Sequence, residues 1–122
     1  MADIEFANKK FQKELNSGTS ALVLLSVLGR AAEPMYGYQI VKHIENTNTD
    51  IPMMKHGALY PVLRSLESSG LLESRVEPST SGPPRRYYSI TDTGRDALGR
   101  WIGMWRQTKR FVDTVLGGDK HE

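Results

Sequence analysis

Three histidines, His43, His56 and His121, are the candidate general bases of this 122-residue chain. None has an adjacent nucleophile, and none stands at metal-ligand spacing from another ligating residue. Asp92 and Asp96 lie one helical turn apart, but beside Arg95 such a pair reads as a solvated face. There is no phosphate-binding glycine motif. The chain has no cysteine, which excludes a disulfide framework, a zinc ribbon and a thiol nucleophile. Neither enzyme activity nor a metal or cofactor is therefore expected.

What remains is the chemistry of fixed positive charge. Residues 1–54 carry five Lys/Arg against six Asp/Glu, residues 55–110 carry ten against five, and the last twelve carry one against three. The net charge of +2 hides this concentration in the middle of the chain. A local basic surface suits a polyanion such as nucleic acid; the competing reading is a solvated face.

Those charges must be positioned by the surrounding elements. Ile4, Ala7, Phe11 and Leu15 recur at helical spacing and predict a helix to about Asn16. Asn16-Ser17-Gly18 reads as a stop, with Thr19 or Ser20 capping the next helix. That helix, to about Leu28, is apolar almost all round and belongs in a core. Residues 29–35 read as a loop. Tyr38, Ile40, Val41 and Ile44 predict a short helix ending near Asn46, followed by a polar connection to Lys55.

The next helix runs from Gly57 to Gly70, with Leu59, Val62, Leu63 and Leu66 on one face and Tyr60 and Arg64 on the other. Lys55 and His56 stand at its N-terminus. Leu72, Ser74 and Val76 then alternate with Glu73, Arg75 and Glu77 as in a strand. Pro78 to Pro84 reads as a turn-rich loop, and Arg85 to Ile90 as a second strand. Adjacent Arg85 and Arg86 point to opposite faces, so only one is expected to face a ligand directly. Thr91 caps a long final helix ending at Gly117-Gly118. In it Leu98, Trp105 and Val112 repeat every seven residues, with Trp101, Thr108 and Val115 three further on, a seam for another helix.

The expected fold is mainly α with a small β-hairpin: a winged helix-turn-helix with an N-terminal helix and a long C-terminal dimerisation helix. The expected boundaries are 1–18 for the N-terminal helix, 19–90 for the DNA-binding domain, 91–117 for the dimerisation helix and 118–122 for a disordered tail. In this arrangement the last of the three compact helices enters the major groove and the hairpin reaches along the backbone or into the minor groove.

Five segments carry a more specific likeness: residues 35–40 (MYGYQI), 57–63 (GALYPVL), 66–72 (LESSGLL), 82–88 (GPPRRYY) and 90–94 (ITDTG). In that order and spacing they resemble the PadR family of bacterial transcriptional regulators, and the single long C-terminal helix resembles its short subfamily. The resemblance implies a dimeric repressor of a palindromic operator. It also implies DNA contacts at Tyr38, Gln39, Lys42, Lys55, His56, Tyr60, Arg64, Arg85 and Arg86. Where the family commonly has Ser and Thr this chain has Lys55 and Ala58, which replaces hydroxyl contacts with one charge.

The long helix has more apolar surface than so small a core can bury, so a second copy of the chain is the expected partner. Leu98, Trp101, Trp105, Val112 and Val115 are assigned to that interface, with Phe11 and Leu15 packing across it. In multidrug-sensing relatives a tryptophan at the position matching Trp105 lines a ligand pore. Trp101 and Trp105 are therefore also candidates for stacking on a small aromatic effector, although plain interface packing is the preferred reading. No signal peptide or membrane span is apparent, and a cytoplasmic setting is expected. The remaining alternative is a winged-helix adaptor that binds proteins; the basic wing and outward Arg64 argue against it.

Overall fold

A computed structural model describes residues 3–47 and 56–117. The elements in chain order are α1 (Ile4–Arg30), β1 (Met35–Tyr36), α2 (Gly37–Thr47), α3 (His56–Ser68), β2 (Leu72–Ser79), β3 (Gly82–Ile90) and α4 (Asp92–Leu116). The expected architecture of helices plus a β-hairpin wing is present. No helix among the described residues is long and apolar enough to cross a membrane.

α1 corrects the expectation of a break at Asn16-Ser17-Gly18: it is one helix from Ile4 to Arg30. The polar side chains there bond back to the helix. Thr19 Oγ1 donates to the Leu15 carbonyl and Ser20 Oγ to that of Asn16. Gln12 Nε2 also donates to Asn16 Oδ1 at 2.8 Å. Gly18 has no positive φ, so it does not take the left-handed turn that would end the helix. Asp3 caps the start, accepting from the Phe6 N–H at 3.2 Å.

The core is where the apolar stripes meet. Leu24, Leu25 and Leu28 of α1, Ile40 and Val41 of α2, and Leu59, Leu63 and Leu66 of α3 are buried with Leu71, Leu72 and Tyr88. Val62 packs against this cluster from a half-buried position. α3 ends in a Schellman motif. The Leu71 N–H donates to the Leu66 carbonyl at 3.0 Å, and that of Gly70 to Glu67 at 2.9 Å. Gly70 has φ +79°, which only glycine adopts cheaply, and this lets the chain turn straight into β2.

The sheet has three strands in the order β1-β3-β2, all antiparallel, one more than the expected hairpin. β1 is the last residue of the expected loop and the one after it, paired as Met35 with Tyr88 and Tyr36 with Tyr87. The wing is also longer than expected. Pro78 to Pro84 is not a loop: β2 runs to Ser79 and β3 starts at Gly82, with a register irregularity between Glu77 and Ser79. A proline can sit here because the strand ends, near a bulge, do not need every ladder hydrogen bond.

α4 is anchored at its first turn. Thr91 Oγ1 accepts from the Gly94 N–H at 2.9 Å and donates to the Gly70 carbonyl at 2.7 Å. Arg95 reaches the Gly29 carbonyl at 3.2 Å, placing a cation at the C-terminal end of α1. Gly117, φ +83°, closes α4 as expected.

Candidate nucleic-acid interface

α3 presents Tyr60 and Arg64 outward because Leu59, Leu63 and Leu66 hold its other face in the core. Even-numbered residues of the wing continue the core-facing side of the sheet. Tyr88 is buried, while Arg86, one alternation further out, projects beyond the core on the α3 side. Tyr60, Arg64, Glu67, Ser68, Arg86 and Tyr88 thereby line one open cleft of about 450 Å³ between α3 and the wing. Neither Arg64 nor Arg86 forms a salt bridge among the described residues. Burial raises the Tyr88 pKa, and Glu67 and Tyr60 add to the rise, while Arg86 and Arg64 oppose it.

Arg85 faces the other way. Its guanidinium lies over the Tyr36 ring, 4.5 Å from the centroid, and Tyr36 meets Tyr87 edge to face at 5.4 Å. On this same face Arg75 pairs with Glu77 at 2.6 Å, and Glu77 stands opposite Arg85 in the register. The adjacent arginines thus have different surroundings: Arg86 borders the cleft, and Arg85 stacks on the outer face of the sheet.

α2 carries Tyr38, Gln39 and Lys42, all exposed. Lys42 lies over the Tyr38 ring at 5.6 Å and pairs with Glu45 at 3.6 Å. Gln39 has a local structural role: its Oε1 accepts from the Tyr36 N–H at 3.1 Å, half of a capping box at the start of α2. Its amide nitrogen can still donate. Ala58 is exposed on the first turn of α3. Lys55 and the side chain of His56 lie outside the described residues, as does the 118–122 tail.

The residues assigned to a dimer seam fall into two groups. Leu98 and Trp101 are partly buried against the core of their own chain. Phe11, Leu15, Trp105, Val112 and Val115 stay exposed, Trp105 at 40% and Val112 at 44%. Leu15, Leu22, Trp101, Met104 and Trp105 line an open groove of about 470 Å³ between α1 and α4. A larger groove, about 850 Å³, is a mainly apolar one bordered by Leu22, Val27, Ile44 and Ile102, away from the cleft beside the wing.

Glu67, Ser74 and Tyr36 are functional candidates that periodicity alone does not identify. Glu67 and Ser74 meet only because the turn at Gly70 folds β2 back along α3. Tyr36 matters only through the pairing of β1 with β3.

Comparison with known proteins adds an independent line. A profile of the Transcriptional regulator PadR-like family matches residues 24–100. The chain is 34% identical over 104 residues to a transcriptional regulator of Mycobacterium tuberculosis, covering 83% of this chain and 89% of that protein. Its structure is similar to that of a PadR family transcriptional regulator from Eggerthella lenta, with TM-score 0.77 and 34% identity over 93% of this chain and 95% of the other. A transcriptional regulator from Clostridium thermocellum matches with TM-score 0.74 and 27% identity, covering 83% of this chain and 96% of the other.

Proposed function

The chain belongs to the PadR-like family of transcriptional regulators, and from that premise we propose that it is a repressor that binds a palindromic DNA operator as a homodimer. As a member of this family it is a regulator and not an enzyme. The observation that carries the proposal is the cleft between α3 and the wing. There Tyr60, Arg64 and Arg86 converge from two elements on one open space. Two cations and a phenol at a groove-sized helix face suit phosphate and base-edge contacts. Lys42 and Tyr38 are exposed on α2, whose first residue, Gly37, abuts Tyr60.

The dimer follows from the apolar surface that the protomer leaves open. Phe11 and Leu15 on α1, and Trp105, Val112 and Val115 on α4, are large side chains facing solvent. A second copy covers them and sets two α3 helices about one turn of DNA apart, ~34 Å. The paired tryptophans beside the α1–α4 groove support a second, narrower reading. A flat aromatic effector seated there would act by favouring a dimer geometry that misaligns the two α3 helices.

Selection of sites from a random duplex pool, followed by affinity measurements against salt, tests the main reading. A recovered palindrome with a steep salt dependence is expected. Failure to bind any duplex at low salt would overturn the reading and favour a protein-binding adaptor. For the effector, quenching of Trp101 and Trp105 fluorescence by planar aromatic compounds, with release of DNA, is the expected result.

A further inference from the structure

α3 and the wing are joined by a short polar relay. Ser74 Oγ donates to Glu67 Oε2 at 2.6 Å and accepts from Arg86 Nη1 at 3.0 Å. A carboxylate can only accept and a guanidinium can only donate, whereas a hydroxyl can do both. The direction is therefore set: Arg86 to Ser74 to Glu67. In the register Arg86 stands opposite Val76, so it reaches diagonally across β2 to Ser74, which stands opposite Tyr88. Glu67 and Ser74 are half-buried, while Arg86 is exposed. An exposed arginine ordinarily samples many rotamers, and ordering it on binding opposes affinity.

We propose that Glu67 and Ser74 are positioning residues for DNA recognition: their relay holds the Arg86 guanidinium at the mouth of the cleft, facing Arg64 and Tyr60. One backbone phosphate is then gripped jointly by the recognition helix and the wing. This rests on the DNA-binding reading above. It also accounts for a carboxylate on the rim of a basic cleft, where charge alone makes it unfavourable to a phosphate. Glu67 orders the arginine through a hydroxyl while standing one residue back from the anion.

The two effects of Glu67 have opposite signs, which makes the proposal testable. On charge alone, Glu67→Ala strengthens DNA binding. If Glu67 positions Arg86, the same change weakens binding to the selected operator. Dissociation constants are measured for wild type, Glu67→Ala, Ser74→Ala and Ser74→Thr, on the selected operator and on an unrelated duplex of equal length. Thermal unfolding of each variant is followed in parallel.

Glu67→Ala and Ser74→Ala are expected to bind the operator about three- to tenfold more weakly, the range for one lost hydrogen bond. A phosphate contact carries no sequence information, so a comparable loss is expected on the unrelated duplex. Ser74→Thr keeps the hydroxyl and stays near wild type. In an Arg86→Ala background, Glu67→Ala is expected to have no further weakening effect. Operator binding by Glu67→Ala as tight as wild type or tighter would overturn the proposal, as would a loss that persists without Arg86. Wild type that binds no duplex would overturn the DNA reading and this proposal with it; loss confined to the variants separates the two.

Discussion

The phenol of Tyr60 lies against the backbone of Gly37, so that a Cβ built on Gly37 would come within 2.8 Å of Tyr60 Cζ and 2.9 Å of Cε1. The first residue of α2 thus forms the seat for an outward-facing side chain of α3. Gly37→Ala should displace Tyr60 with little damage to the fold, because the ring is 40% exposed and has room to swing outward. Alanine also suits a helix start. The expected outcome is a stability change within about 1 kcal/mol with operator affinity reduced to the level of Tyr60→Ala. Combining the two substitutions should add little, and a double-mutant cycle on DNA affinity checks this.

Arg85 and Arg86 should separate in solution although they are neighbours. Arg86→Ala removes a cation beside the cleft and should lower the slope of log affinity against log salt by about 0.9, one phosphate contact. Arg85→Ala removes a cation stacked on Tyr36 on the outer face. It should cost about 0.5–1 kcal/mol of stability and change the salt slope less. Parallel salt titrations and thermal unfolding of the two variants distinguish these outcomes. Equal slopes would show that the wing twists on DNA enough to use both.

The helices around the core are legible in the sequence because each has one apolar stripe with the helical period. Leu59, Leu63 and Leu66 of α3 show this, and they set Tyr60 and Arg64 outward without further information. The break expected near Gly18 is absent because Thr19 and Ser20 can either cap a new helix or bond back to residues 15 and 16, and pattern alone does not choose. β1 is too short for any period to register. Alternation correctly places Arg85 and Arg86 on opposite faces. Which of them faces α3 depends on strand register and on the extra strand carrying Tyr36, and neither is local. The relay from Arg86 through Ser74 to Glu67 is hidden for the same reason: it joins three elements and no motif spans it.

Gly94 should be the least replaceable glycine of α4. It is buried, and a Cβ there would run into the Leu71 carbonyl oxygen and come within 2.7 Å of Ile90 Cγ1. Backbone cannot yield as a side-chain tip can. Gly94→Ala should therefore cost ~1–3 kcal/mol. A Cβ at Gly99 meets nothing within 4 Å. Gly99→Ala should instead stabilise the chain by about 0.4–1 kcal/mol. Denaturant titration of the two variants tests the contrast.

Tyr88 makes stability depend on alkaline pH. Burial raises its pKa in the folded chain above the ordinary value of about 10. A group with a raised folded pKa contributes stability that is present in full below its unfolded pKa and is lost as pH rises through the folded value. The difference in unfolding free energy between wild type and Tyr88→Phe should therefore be constant below about pH 9. It should shift against wild type above about pH 10. Unfolding curves for both proteins from pH 8 to 11 measure the difference, and a flat profile would mean that Tyr88 ionises freely in the folded chain.

Substitutions along α4 should divide into two classes that heptad spacing alone does not separate. Leu98 is packed against its own chain, and its Cδ2 would lie 2.9 Å from a Cβ at Gly29. Leu98→Ala should therefore loosen the α1–α4 contact within the protomer and cost about 2–3 kcal/mol, detectable as a lower unfolding temperature at any protein concentration. Val112 is 44% exposed and has no such partner in its own core. Val112→Glu should leave the protomer folded and place a charge in the seam between copies. Its expected signature is a monomer in sedimentation equilibrium, with an unfolding temperature that no longer rises with protein concentration. Operator affinity should fall with it, because two half-sites gripped together bind far more tightly than either alone. A Val112→Glu protein that stays dimeric would place the seam elsewhere, and the apolar groove bordered by Val27, Ile44 and Ile102 is the next surface to test by the same measurement.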